Sequence, residues 1–231
     1  GREAGVIPPR GGSAQAALPL EASKAVLDEY NRYFGVHYPL PKLDNIAAPG
    51  RSQFFGAMEN WGAIFTFEYA MLLDPAISTQ GDKQEVFATA AHEIAHQWFG
   101  DLVTMAWWDN LWLNEGFASW MATKCTDHFN PQWQVWLRAD AVKQHAMASD
   151  ALSTTHPIQQ PARTEDEAES AADEITYSKG QSFLRMLESY LGENDFRAGI
   201  RAYLQAHKFS NSTTADLWEA LGEAAKKPVG A

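Results

Sequence analysis

"HEIAHQWFG", residues 92–100, sets two histidines four apart with a glutamate directly after the first. On an α-helix, positions i and i+4 differ by about 40° in direction, so His92 and His96 can aim ring nitrogens at one ion. Glu93 lies about 100° round from His92, near such an ion without having to bind it. The surroundings have helical period: Phe87, Ala91, Ala95 and Phe99 make one apolar stripe, with Gly100 as its expected stop. Upstream, Asp82 and Glu85 have the spacing of a capping box. Three polar residues on a helix are by themselves a moderately specific signal, and the competing reading is an ordinary polar face. The flanking segments decide between the two.

A zinc site of this kind needs a third protein ligand and an open position for water. Residues 101–110, "DLVTMAWWDN", supply a turn-sized connection to a helix expected from Leu111 to Thr126, which carries "LWLNEGFASW". Glu115 stands there in an apolar setting, where a charge is costly unless paired or metal-bound. Its plain reading is a helix-start glutamate favoured by the helix dipole. With two histidines upstream, the ligand reading outweighs it. A His/His/Glu donor set favours zinc, one ion per chain.

The rest of the chain reads as a small β-containing first part, roughly residues 1–75, and a helical lobe over 76–231. "GVIPPRGGSAQA" reads as a short strand and a turn. A helix is expected over 20–34 (Ala22, Val26, Tyr30, Tyr33, Phe34), stopped by Gly35. Residues 61–73, "WGAIFTFEYAMLL", suit one or two strands. Asn130-Pro131 reads as an N-cap and first-turn proline opening a Trp-rich helix. Residues 149–172 read as a solvated loop or helix face, and helices are expected near 178–191, 195–207 and 215–225.

The 231 residues are 45% hydrophobic, with nine Trp, enough for one sizeable core and incompatible with a disordered or fibrous class. The net charge of −11, with no basic patch, makes nucleic acid and anionic membranes poor partners. No run of about 18 apolar residues predicts a transmembrane helix. The single cysteine, Cys125, is expected to be a buried thiol rather than a nucleophile. The opening "GREAGVIPPRGG" has no apolar signal-peptide core and suggests a piece of a longer chain. The compartment stays open between cytoplasmic and periplasmic or secreted.

Four segments in order carry a resemblance: "YPLPKLD" (38–44), "GAMENWGA" (56–63), "HEIAHQWFG" with 18 residues between His96 and Glu115 of "NEGFASW", and "ITYSKG" (175–180). Together they resemble the M1 family of zinc aminopeptidases, of the gluzincin type. The resemblance implies an α+β, thermolysin-like catalytic domain with a small mixed sheet followed by a mainly helical lobe. It implies zinc on His92, His96 and Glu115, with Glu93 as general base and Tyr177 as a donor to the developing oxyanion. It further implies that Gly56, Ala57, Met58, Glu59 and Asn60 bind substrate, Glu59 by gripping the free α-ammonium of a peptide. Phe55 is a weaker candidate for the first side-chain pocket. Asp101 and Asp109 are candidates to orient the histidines, whereas His37, His128, His145, His156 and His207 read as structural or surface residues.

The chain departs from the family pattern in two respects. It has no room for the N-terminal β-domain and the C-terminal domains such enzymes carry, and Ala172-Asp173 stands where Phe-Asp is usual. Two rival readings stand beside this one. One is an epoxide hydrolase of the leukotriene-hydrolase type, against which Gly56-Ala57 stands in place of Gly-Gly. The other is a non-catalytic peptide-binding module, against which the complete set of ligands and base stands.

Overall fold

The computed structural model describes residues 3–53 and 55–230. In chain order the elements are β1 (Glu3–Ile7), α1 (Ala17–Phe34), β2 (Lys42–Ala48), β3 (Ala57–Met58), β4 (Ala63–Phe67), α2 (Glu68–Met71), α3 (Gln80–His96), β5 (Val103–Met105), α4 (Trp112–Phe129), α5 (Val135–Asp150), α6 (Glu165–Ser170), α7 (Gly180–Leu191), α8 (Glu193–His207), β6 (Ser210–Ser212) and α9 (Thr214–Ala225). One turn of π-helix, Ile175–Lys179, precedes α7. The architecture is α+β, as expected: a small sheet early in the chain and helices thereafter.

The main sheet has the order β1-β2-β4-β3. Its first three strands are parallel, with Ile46 of β2 opposite Ile7 and Phe65, while β3 runs antiparallel along the edge. A second, two-stranded parallel sheet pairs β5 with β6, Val103 opposite Ser210. One apolar core runs from Ala4 to Ala225 and unites the sheet-bearing and helical parts. Its largest side chains, Trp98, Trp112 and Trp120, are fully buried. Such rings dominate core energetics by area and fix neighbours by shape. Helix α1 stops at Gly35, which sits at φ +67, and its Ala22, Val26, Tyr30, Tyr33 and Phe34 are all buried. Among the described residues no helix is long and apolar enough to cross a membrane.

Several expectations are corrected. Helix α3 is opened by Thr79, not Asp82: Thr79 Oγ1 accepts from the Asp82 N–H, and the Thr79 N–H donates to Asp82 Oδ2 at 2.6 Å. The box begins three residues earlier than the Asp82–Glu85 spacing suggested. The helix ends at His96 rather than running to Gly100, although Phe99 is buried as the stripe required. The connection after it contains β5, held by a β6 strand whose sequence, Ser-Asn-Ser, carries no strand signal. The second half of 61–73 is α2, not a strand. Asn130 makes no side-chain cap: Pro131–Trp133 is a 3₁₀ turn, and α5 begins only after Gln134 in the left-handed region.

Candidate active site

Helix α3 delivers both histidines because it is braced from two sides. Tyr30 Oη of α1 donates to the Ala91 carbonyl at 2.9 Å, and Trp98 Nε1 donates to the Val36 carbonyl at 2.7 Å. The turn after His96 needs Gly100, whose φ of +138 is a conformation L side chains rarely adopt. That turn lays Phe99 flat on Phe117 of α4, centroids 4.2 Å apart. The stacked pair sets α4 against α3 and brings Glu115 to the histidines.

The three predicted ligands meet. Glu115 Oε2 lies 3.3 Å from His92 Nε2 and 3.2 Å from His96 Nε2, and the two imidazole nitrogens are 3.1 Å apart. Burial opposes the Glu115 charge, but His96 and His92 pull its carboxyl well below the usual carboxylate range. His96 is the reciprocal case: burial opposes its charge, and Glu115 raises it to about 10. Glu115 Oε2 is buried and has no hydrogen-bond partner besides the two imidazoles. Two imidazoles and a carboxylate oxygen held by nothing else, converging inside 4.8 Å, fit a divalent cation.

Three more groups face this cluster. Glu93 is 6% exposed, and its Oε2 has no partner. Burial pushes its carboxyl up to about 7, against the pull of His92 and His96 and with help from Glu59 and Glu115. Glu59 brings a carboxylate oxygen into a group with Glu93 and His96. Tyr177 stacks on His92 at 6.0 Å, and burial together with Glu115 raises its phenol, so it stays an O–H donor. Tyr177 sits in the π turn, a helical distortion frequent at functional sites.

The remaining predicted residues divide. Gly56 and Ala57 line a cleft of about 530 Å³ with Phe55, Tyr69, His92, Glu93 and Tyr177. A Cβ at Gly56 would meet only ordinary contacts, 3.6 Å to Ala70, so nothing inside the chain demands glycine there. Met58 points to solvent, 39% exposed, and Asn60 offers its carbonyl to Ala63 in a turn. Asp109 is tied to Asn110 and Gln159, away from the histidines. Asp101 is electrostatically close to His96 and is raised to about 7 by burial and then Glu59. The direct partner of His96 Nδ1 is neither aspartate but the Phe99 carbonyl, at 3.0 Å. That bond holds the Nδ1 proton and leaves Nε2 facing the cluster.

Two features escaped the sequence reading. Gln97, fully buried, donates from Nε2 to the Glu59 carbonyl at 2.9 Å and accepts from the Gly62 N–H at 3.0 Å. It thus staples the "GAMEN" segment to the end of α3. Gly116 and Gly180 touch backbone to backbone, and a Cβ on Gly180 would lie 3.2 Å from Gly116 Cα. This contact lets α7, and the π turn before it, close on α4 next to Glu115. The neighbouring Glu59, Glu115 and Tyr177 drew attention from the sequence because they carry chemistry. Gln97, Gly116 and Gly180 carry only placement.

The model of the peptidase family M1 domain matches residues 18–231. The chain is 46% identical over 217 residues to a probable aminopeptidase 2 of Sulfurisphaera tokodaii, covering 94% of this chain and 27% of that protein. It is 47% identical over 218 residues to the tricorn protease-interacting factor F2 of Thermoplasma acidophilum, covering 93% and 27%. It is 44% identical over 219 residues to aminopeptidase M1-A of Oryza sativa subsp. japonica, covering 95% and 25%. The chain therefore spans about a quarter of the length of the curated relatives it matches.

Proposed function

The chain belongs to peptidase family M1, and on that premise we propose that it is the catalytic domain of a zinc aminopeptidase that releases N-terminal residues from peptides. The observation that carries this reading is the convergence of His92, His96 and Glu115 beside two further carboxylates, Glu93 and Glu59. His92, His96 and Glu115 would hold the zinc, and a zinc ion there would supply Lewis-acid polarisation of a substrate carbonyl and of the attacking water. Glu93, buried beside the ligand cluster with one carboxylate oxygen unpartnered, is suited to accepting a proton from the attacking water and returning it to the departing amine. The Tyr177 phenol donates to the oxygen on which charge grows. Glu59 takes the substrate ammonium, whose pKa near 7.7–8.0 keeps much of it charged at neutral pH. The distance from Glu59 to the reacting centre then counts off one residue. The edge strand β3, with Gly56 and Ala57, is open to the substrate backbone.

The test is zinc content together with hydrolysis of an aminoacyl arylamide before and after chelation. A matched pair of peptides, one free and one N-acetylated, completes it. The expected result is one zinc per chain, loss of activity on chelation, recovery on zinc addition, and near-absence of cleavage of the acetylated peptide. Equal rates on the two peptides would remove the exopeptidase reading and leave a zinc hydrolase. A chain that cannot be loaded with metal would remove both.

A further inference from the structure

Asp173 caps the turn that presents Tyr177. Its Oδ1 accepts the N–H groups of Ile175 at 2.9 Å and Thr176 at 3.2 Å, and its carbonyl accepts the N–H of Tyr177 at 3.1 Å. The other carboxylate oxygen, Oδ2, lies 2.7 Å from His156 Nε2. His156 Nδ1 lies 2.8 Å from the Pro157 carbonyl. A carbonyl can only accept, so Nδ1 carries a proton. A carboxylate already accepting two N–H groups takes a third donor from Nε2. Both ring nitrogens then carry protons, and the ring is an imidazolium.

The segment that bears His156 grips the turn at several points. Lys179, the last residue of the turn, donates to Asp150 at 3.0 Å, and Thr155 donates to the same aspartate at 2.6 Å. Ser149 bonds Glu174, which His145 also approaches at 3.6 Å. The end of α5 and the loop after it therefore form a brace on the outer side of the turn, while His92 stacks on its inner side.

We propose that His156 is a positioning residue: as an imidazolium bonded to Asp173 it locks the π turn and so sets the Tyr177 phenol toward the reacting carbonyl. The charged groups facing His156 are Asp173, Lys179 and Asp150. Partial burial and Lys179 oppose its charge, whereas the bonds to Asp173 and Pro157 outweigh them and raise it. The lock is thus complete below the ordinary histidine range and is lost as pH rises through the raised value. This inference rests on the reading of Tyr177 as the oxyanion donor, and the experiment separates the two.

The variants are His156→Ala, His156→Gln, Tyr177→Phe and the double variant His156→Ala/Tyr177→Phe of the zinc-loaded chain. The glutamine keeps an N–H for Asp173 without a titrating charge. Loss of one oxyanion donor costs about 10²–10³ in kcat, and misplacement by an ångström can cost as much as about 10². His156→Ala should lower kcat by about tenfold at constant KM, and His156→Gln should restore most of it and abolish the alkaline decline attributable to His156. In the Tyr177→Phe background His156→Ala should cost less than about twofold, because no phenol is left to place. Multiplicative losses in the double variant would overturn the proposal. If Tyr177→Phe runs at the wild-type rate, the reading of Tyr177 falls, and the proposal with it. If Tyr177→Phe is slow but His156→Ala is not, only the proposal falls. Independently of turnover, long-range ¹H–¹⁵N spectra of the metal-free chain should show both His156 ring nitrogens predominantly protonated at about pH 6.5, where an unperturbed imidazole is only half protonated. A neutral ring at that pH would overturn the proposal even if His156→Ala fails to fold.

Discussion

Replacing Glu93 by glutamine should make the metal-free protein more stable while ending its catalysis. The carboxyl is 6% exposed, with one oxygen lacking any partner, and burial raises it from 4.5 to about 7. Between those values the folded chain keeps a proton that the unfolded chain has released. Stability therefore falls as pH rises through this window, and the full penalty stands above about pH 7. The gap corresponds to about 3 kcal/mol at about 1.4 kcal/mol per pH unit. Glutamine keeps the size and cannot ionise. After exhaustive chelation, wild type and Glu93→Gln should melt alike at about pH 4, and the variant should gain about 3 kcal/mol by pH 8. At 2–4 °C per kcal/mol for a chain of this size, that is roughly 6–12 °C in Tm. Loaded with zinc, the variant should keep its metal and lose turnover. A stability difference that does not change with pH, or a variant weaker at pH 8, would refute the reasoning that the Glu93 carboxylate is held at an energetic cost.

Other expectations follow from the same geometry. Gly116→Ala places a Cβ 3.3 Å from the Gly180 backbone; a helix-propensity gain of about 1 kcal/mol offsets part of an overpacking cost of about 1–3 kcal/mol. Urea melts should show a modest loss, while kcat/KM should drop by roughly tenfold or more as Glu115 and Tyr177 separate; unchanged kinetics would mean the glycine contact does not place them. Gln97→Ala leaves the Gly62 N–H and Glu59 carbonyl without their partner, at about 1–3 kcal/mol. It should raise KM for free-amine peptides while zinc affinity, measured by competition with a chelator, stays unchanged. Glu59→Ala should narrow the rate difference between free and N-acetylated peptides with zinc retained, and an undiminished preference for the free peptide would assign amine recognition elsewhere.

The fold was legible where one period governed a long segment. Helix α1 matches its apolar positions from Ala22 to Phe34, and α4 and the three C-terminal helices lie where periodicity put them. It was not legible where tertiary partners overrode local pattern. Ser210–Ser212 is a strand because Val103–Met105 lies alongside it, and no β-propensity in Ser-Asn-Ser announces that. The apolar run 61–73 is split because Glu68 opens a helical turn after β4, although alternation alone continues through it.

At the candidate site the misreadings share a cause. The stripe of Phe87, Ala91, Ala95 and Phe99 suggested one helix through Gly100, yet the helix stops at His96. Ending there turns the Phe99 carbonyl back onto His96 Nδ1, while Gln97, the C-cap residue, reaches Glu59 and Gly62. Aspartates were the natural candidates to orient the histidines, because side-chain chemistry is what a sequence displays. The orienting groups found are a backbone carbonyl for His96 and a neutral amide for the loop bearing Glu59. A carbonyl belongs to every residue alike, so no residue type can mark it. His156 reads as a structural or surface residue for the converse reason: it lacks ligand spacing, and its bond to Asp173 spans 17 positions. Spacing exposes groups that act on one ion from one helix, whereas groups that hold other groups in place are recognised only from the turns that bring them together.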